Sequence, residues 1–157
     1  MLEHCSDLPL EQVAAGEVLV AEGDPPGRLL VLVSGTVVVE RGGTAFARIQ
    51  FPGAVFGEMS WVLDTPATAT ARASTDVVVH VVDDPERFFT ERPGAALAVL
   101  QITAARLDGL TRYLVDVKEQ FAGHEDHLGM VDRILGSLVH HQAPPPRPGS
   151  VRDPGTH

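Results

Sequence analysis

Between Gly16 and Asp83 the chain breaks into short runs rich in β-branched residues, each closed by Gly, Pro, Asp or Ser. The runs are "EVLVAEGD", "RLLVLVSG", "TVVVERGG", "AFARIQFPG", "ATARAS" and "DVVVHVVDD". Residues of this type fit a pleated, half-buried surface, and the breakers between them supply turns. Ser34-Gly35 and Gly42-Gly43 read as hairpin turns, because glycine reaches the positive φ such turns require. Short strands recurring at roughly 8–12 residues imply a closed or sandwiched antiparallel β structure.

At Asp84 the period changes. Asp84 is a natural N-cap and Pro85 suits the first helical position, so "PERFFTE" reads as a short helix. Pro93 opens a second, longer helix by the same logic, expected over about 93–121. Along it Leu100, Thr103, Leu107, Leu110, Leu114, Val117 and Phe121 alternate steps of three and four. This is a heptad seam with one polar member, and it implies a homodimer through the long helix. The competing use of such a face is to lie on its own β domain. Leu128, Val131, Leu135, Leu138 and Val139 then mark one more amphipathic helix within 124–141. The stretch 142–157 holds five of the 12 prolines and no apolar pattern, so it is expected to be a disordered tail.

Charge narrows the choice of partners. The formal net charge is −9, and the 12 basic residues are scattered. Neutralising nucleic-acid phosphates or an anionic membrane surface requires clustered Lys and Arg, so neither partner is expected. The lone cysteine, Cys5, cannot form an intramolecular disulfide, and "MLEHCSDLPLEQ" lacks the apolar core of a signal peptide. No apolar run approaches the ~18–20 residues that span a bilayer. These features imply a cytoplasmic protein.

Three blocks in order now resemble the cyclic nucleotide-binding domain of the catabolite activator and protein kinase regulatory subunit superfamily. They are "AAGEVLVAEGDPPGRLLVLVSGTVVV", "FPGAVFGEMSWVLDTPATATARA" and "FFTERPGAALAVLQITAARL". The resemblance runs from about Val13 to Phe121. It implies a mainly β fold with flanking α, an antiparallel jelly-roll-like β-roll followed by a long C-terminal helix, over residues 1–123. It also implies a ligand, cyclic AMP or cyclic GMP, and no catalytic activity or cofactor.

The second block is similar to the family's phosphate-binding cassette, and its residues then take roles. Phe56 leads into the turn, and Gly57 lets the backbone approach a ligand closely. Glu58, an acceptor-only carboxylate, suits a ribose 2′-hydroxyl. Met59 and Ser60 open a short helix whose N–H groups face an anion. The Thr68 hydroxyl and the Ala69 amide add donors. The family's arginine after the cassette proline, which pairs bidentately with the cyclic phosphate, is replaced here by Ala67. A charge-assisted arginine–phosphate contact contributes roughly 1.5–3 kcal/mol, so its loss weakens binding by about one to two decades. Strand alternation along "TATARAS" turns Ala71 and Ala73 inward and Arg72 outward, which removes Arg72 as a substitute. The family's purine-capping position on the long helix falls near Thr111, beside Arg112 and Tyr113. Thr68 is compatible with either cyclic nucleotide.

Other chemistries find less support. His124, His127, His140 and His141 lack cysteine partners and read as solvent-exposed. His80 has no nearby histidine in sequence, which disfavours a metal-dependent β-roll enzyme, and no nucleophile–base arrangement stands out. "MVDRILGSLVHH" resembles the first helix of a helix-turn-helix domain, but a proline-rich stretch follows instead of a recognition helix. The expected function is a stand-alone sensor of a cyclic nucleotide or another small anionic ligand, acting on an effector protein in trans. The alternative is a degenerate domain that binds no nucleotide and serves as a dimerisation or interaction scaffold.

Overall fold

Gly35 is where the chain changes sheet. The computed structural model describes residues 1–120 and 125–140, and its eight strands form two four-stranded antiparallel sheets. One has the order β1 (Leu10–Val13), β8 (Val77–Val82), β3 (Leu29–Ser34), β6 (Val55–Phe56). The other has the order β2 (Val18–Val20), β7 (Thr70–Ala73), β4 (Val37–Arg41), β5 (Thr44–Ile49). Ser34-Gly35 therefore does not close a hairpin, since β3 and β4 lie in different sheets. Gly35 has φ +98°, and a Cβ there would lie 2.4 Å from the Asp76 carbonyl oxygen. No side chain fits that crossing. Gly42-Gly43 does join paired strands, β4 and β5, with φ +55° and +79°.

The two sheets enclose one apolar core. Leu30, Leu32, Val77, Val79 and Val81 enter it from one sheet, and Leu19, Val37, Ala71 and Ala73 from the other. Each fully buried Val or Leu contributes roughly 1.5–3 kcal/mol of transfer free energy. Leu29 and Val31 are equally buried but outside this cluster. Strand alternation puts them on the opposite face of β3, so a second apolar layer covers that sheet from outside. Cys5, Phe88, Ala95 and Val99 are likewise buried and outside the inter-sheet cluster. Burial pushes the Cys5 thiol pKa up, as expected where a thiolate would be poorly solvated.

The helical start signals act as expected. The Asp84 carboxylate accepts the Arg87 N–H at 3.0 Å and caps α2 (Pro85–Glu91). Pro93 opens α3, which runs Pro93–Gln120. Arg92, between them, clamps the N-terminal segment. Its guanidinium donates to both carboxylate oxygens of Asp7, at 2.9 and 2.7 Å, and to the His4 carbonyl at 2.5 Å. It also lies 5.1 Å from the centre of the Phe88 ring.

The described chain divides into two compact units, with the boundary at Val99/Leu100 inside α3. In the second unit, α4 (Glu125–His140) is linked to α3 by an ion pair between Lys118 and Asp132. Leu114 and Val131 are its buried apolar residues among those described. The heptad seam is thus divided. Leu114 is buried within the chain, whereas Leu100, Leu107 and Leu110 are 64%, 47% and 46% exposed. Phe121, His124, His141 and the stretch 142–157 lie outside the described residues. No helix among those described is long and apolar enough to cross a membrane.

Candidate functional site

The site is built where two distant segments of the first unit meet. The turn after β2 is tied to the segment before β7 by a reciprocal backbone pair. Gly23 N–H donates to the Ala67 carbonyl at 2.7 Å, and Ala67 N–H donates to the Asp24 carbonyl at 2.8 Å. The turn is stiffened further where Glu22 N–H donates to the Thr70 hydroxyl at 2.9 Å and Ala21 N–H to the Asp24 carboxylate at 3.0 Å. On the other side, β6 delivers the chain to Gly57, which caps α1 (Glu58–Leu63) with φ +88°. A Cβ on Gly57 would come within 2.9 Å of the Arg28 carbonyl oxygen, so turn and cassette meet in backbone contact.

Between these segments lies a cavity of about 270 Å³. That is near the lower end of small-molecule sites, which occupy roughly 300–1,000 Å³. Leu19 and Val20 form an apolar wall; Asp24, Pro25, Gly27 and Arg28 line it from the turn. Gly57, Ser60 and Ala67 line it from the cassette side.

Of the residues expected from sequence, the structure therefore brings Gly57, Ser60 and Ala67 together at one cavity. Ser60 is 8% exposed and its hydroxyl donates to the Thr65 carbonyl at 2.6 Å, which leaves oxygen lone pairs rather than the proton for a ligand. Phe56 belongs to the inter-sheet core, and Glu58, directly after Gly57, is buried at 5% exposure. Met59 and Thr68 are exposed and Ala69 is half-buried; none of the three lines the cavity. Thr111 lies on α3 in the second unit, where its hydroxyl donates to the Leu107 carbonyl at 2.8 Å. Arg72 points outward as its strand position requires, pairing with Glu40 at 3.2 Å and donating to the Gly16 carbonyl at 2.9 Å.

Sequence reasoning missed the second wall, Asp24 to Arg28. In sequence "GDPPGR" is a connector between strands. Its place at the site depends on the pairing with Ala67, more than forty residues away, which no local pattern reports. The Trp61 ring of α1 packs against the Phe89 ring of α2, with centroids 5.2 Å apart.

The family profile for the cyclic nucleotide-binding domain matches residues 10–88, every strand of both sheets included. The chain belongs to that family. It is 35% identical over 69 residues to the cGMP-dependent protein kinase egl-4 of Caenorhabditis briggsae, covering 44% of this chain and 9% of the kinase. It is 32% identical over 108 residues to a CRP-like cAMP-activated global transcriptional regulator of Mycobacterium tuberculosis, covering 65% of this chain and 48% of the regulator. The N-terminal domain of a transcriptional regulator from Streptomyces coelicolor A3(2) superposes with a TM-score of 0.53 at 30% identity, covering 69% of this chain and 82% of that one. The chain thus spans about a tenth of the kinase and about half of the mycobacterial regulator.

Proposed function

We propose that this protein is a non-catalytic regulatory module whose cavity takes a 3′,5′-cyclic nucleotide, cyclic AMP or cyclic GMP, with reduced affinity. The observation that carries this reading is the convergence of Gly57, Ser60 and Ala67 with the Gly23–Arg28 turn at one cavity. In support, Gly57 holds φ +88° and the Ala67 backbone is pinned to Gly23 and Asp24, while alanine stands where the family resemblance implies a phosphate-pairing arginine. The names of the two relatives, one cGMP-dependent and one cAMP-activated, support the ligand class and leave both bases in play. The exposed half of the α3 seam, Leu100, Leu107 and Leu110, supports output through a dimer or a partner helix, as a heptad face requires. Titration calorimetry of the purified protein with each nucleotide tests the proposal. A saturable one-site isotherm, about one to two decades weaker than that of Ala67→Arg, is the expected result.

One observation favours a second reading. Asp24 lines the cavity, and buried Glu58 directly follows the lining residue Gly57 in sequence, so a phosphate meets an acidic residue in the lining. If neither nucleotide gives a heat at millimolar concentration while the fold is intact, the module is a scaffold and not a sensor.

A further inference from the structure

Resting on the reading of the cavity as a nucleotide site, we infer that Arg28 is the residue that holds the ligand's phosphate, in place of the arginine missing at position 67. Among the described residues lining the cavity, Arg28 is the only Lys or Arg. An anion beside Asp24 is disfavoured unless a cation offsets the like charge, and Arg28 is the cation among the described lining residues. Its backbone is fixed at the cassette. The Arg28 carbonyl lies so close to Gly57 that a single added methyl would collide with it. The side chain is not fixed in the same way. Its Nη1 donates to the Glu11 carboxylate at 3.0 Å, with the two side chains 47% and 40% exposed. An exposed contact through one nitrogen contributes little. It also leaves an edge of the guanidinium fork for the bidentate pairing that two phosphate oxygens accept. Lysine, a point charge, would reproduce the charge without the fork.

Glu11 then acts as a competitor. In the unliganded protein it pairs with Arg28 through one nitrogen, and a cyclic phosphate on the other edge of the fork shares the guanidinium charge with it. The cavity is thereby tuned by a residue on β1, a strand that contributes none of the cavity's lining.

The test is titration calorimetry with cyclic AMP and cyclic GMP on wild type, Arg28→Gln, Arg28→Lys, Glu11→Gln and the Glu11→Gln/Arg28→Gln double variant, each checked for fold by circular dichroism. Arg28→Gln is expected to weaken binding about tenfold or more, with Arg28→Lys intermediate. Glu11→Gln is expected to tighten binding about threefold in the wild-type background and to change nothing when Arg28 is glutamine. A gain from Glu11→Gln that persists in full without Arg28 reports a general charge effect and overturns the inference. So does Arg28→Gln binding equal to wild type. If Arg28→Gln does not fold, Glu11→Gln alone decides, and an unchanged affinity there overturns the inference. Wild type that binds neither nucleotide at millimolar concentration overturns the cavity reading and this inference together. Binding by wild type with no effect at Arg28 overturns this inference only.

Discussion

The carbonyl oxygen of Arg28 faces Gly57 so closely that a Cβ at position 57 would lie 2.9 Å from it. Gly57 also holds φ +88° as the cap of the cassette helix, a conformation that costs a side-chain-bearing residue in its own right. Two independent constraints thus act on one residue. Gly57→Ala should lower stability by about 1–3 kcal/mol in urea unfolding. It should also push the Arg28 turn away from the cassette, so nucleotide affinity should fall by more than the loss of stability explains. A variant as stable as wild type would show that this contact is not tight in solution.

Position 67 gives a prediction of opposite sign. Ala67 lines the cavity with its backbone fixed by the pairing to Gly23 and Asp24, so a longer side chain there enters a site whose walls are already set. Ala67→Arg should tighten cyclic nucleotide binding by roughly 10–100-fold in calorimetry. Glu58→Ala in that background should weaken it again. An unchanged affinity in Ala67→Arg would mean the cavity orients its ligand differently.

The divided seam on α3 predicts different outcomes for two leucines. Leu107 is exposed and Leu114 is buried. Leu107→Asp should convert a micromolar dimer into a monomer in sedimentation velocity without lowering the melting temperature of the β domain. Leu114→Asp should instead destabilise the α3–α4 pair by about 3 kcal/mol or more, because it places a charge in a buried apolar position. Wild type that sediments as a monomer would remove the dimer from the account.

The Arg92 clamp has a pH signature. Hydrogen bonding to the Arg92 guanidinium holds the Asp7 carboxyl below the usual carboxylate range. A folded-state pKa below the unfolded one contributes stability that is complete above the unfolded value and is lost as pH falls through the folded one. Wild type should therefore melt higher than Asp7→Asn at pH 7, and the gap should close below about pH 4. The difference is expected to be small, since the carboxylate is largely exposed. Equal melting of the two proteins at pH 7 would mean the pair contributes nothing.

What the sequence discloses and what it withholds divide along contact range. The six β-branched runs, the Asp84-Pro85 cap and the Pro93 helix start were legible because each depends on neighbours in the chain. β6 was not, since two residues become a strand only through pairing with Leu30 and Val31. β1 carries "LEQV", a weak strand pattern held in place by β8. Gly35 announced a turn, but the sheet that follows it is decided by pairings with β7 and β5. At the site the pattern was similar. Gly57 and Ala67 stood out within a contiguous block, whereas Arg28 enters only through the long-range closure of Gly23 on Ala67.

The most direct measurement of the central claim is a titration of ¹⁵N-labelled protein with cyclic AMP and, separately, cyclic GMP, followed by amide chemical shifts. The account predicts saturable shifts at Gly27, Arg28, Gly57, Ser60 and Ala67, which line the cavity, while amides such as Gly16 and Thr36, which do not, hold their positions. Absence of saturable shifts up to millimolar nucleotide, or shifts that cluster away from those five residues, would contradict it.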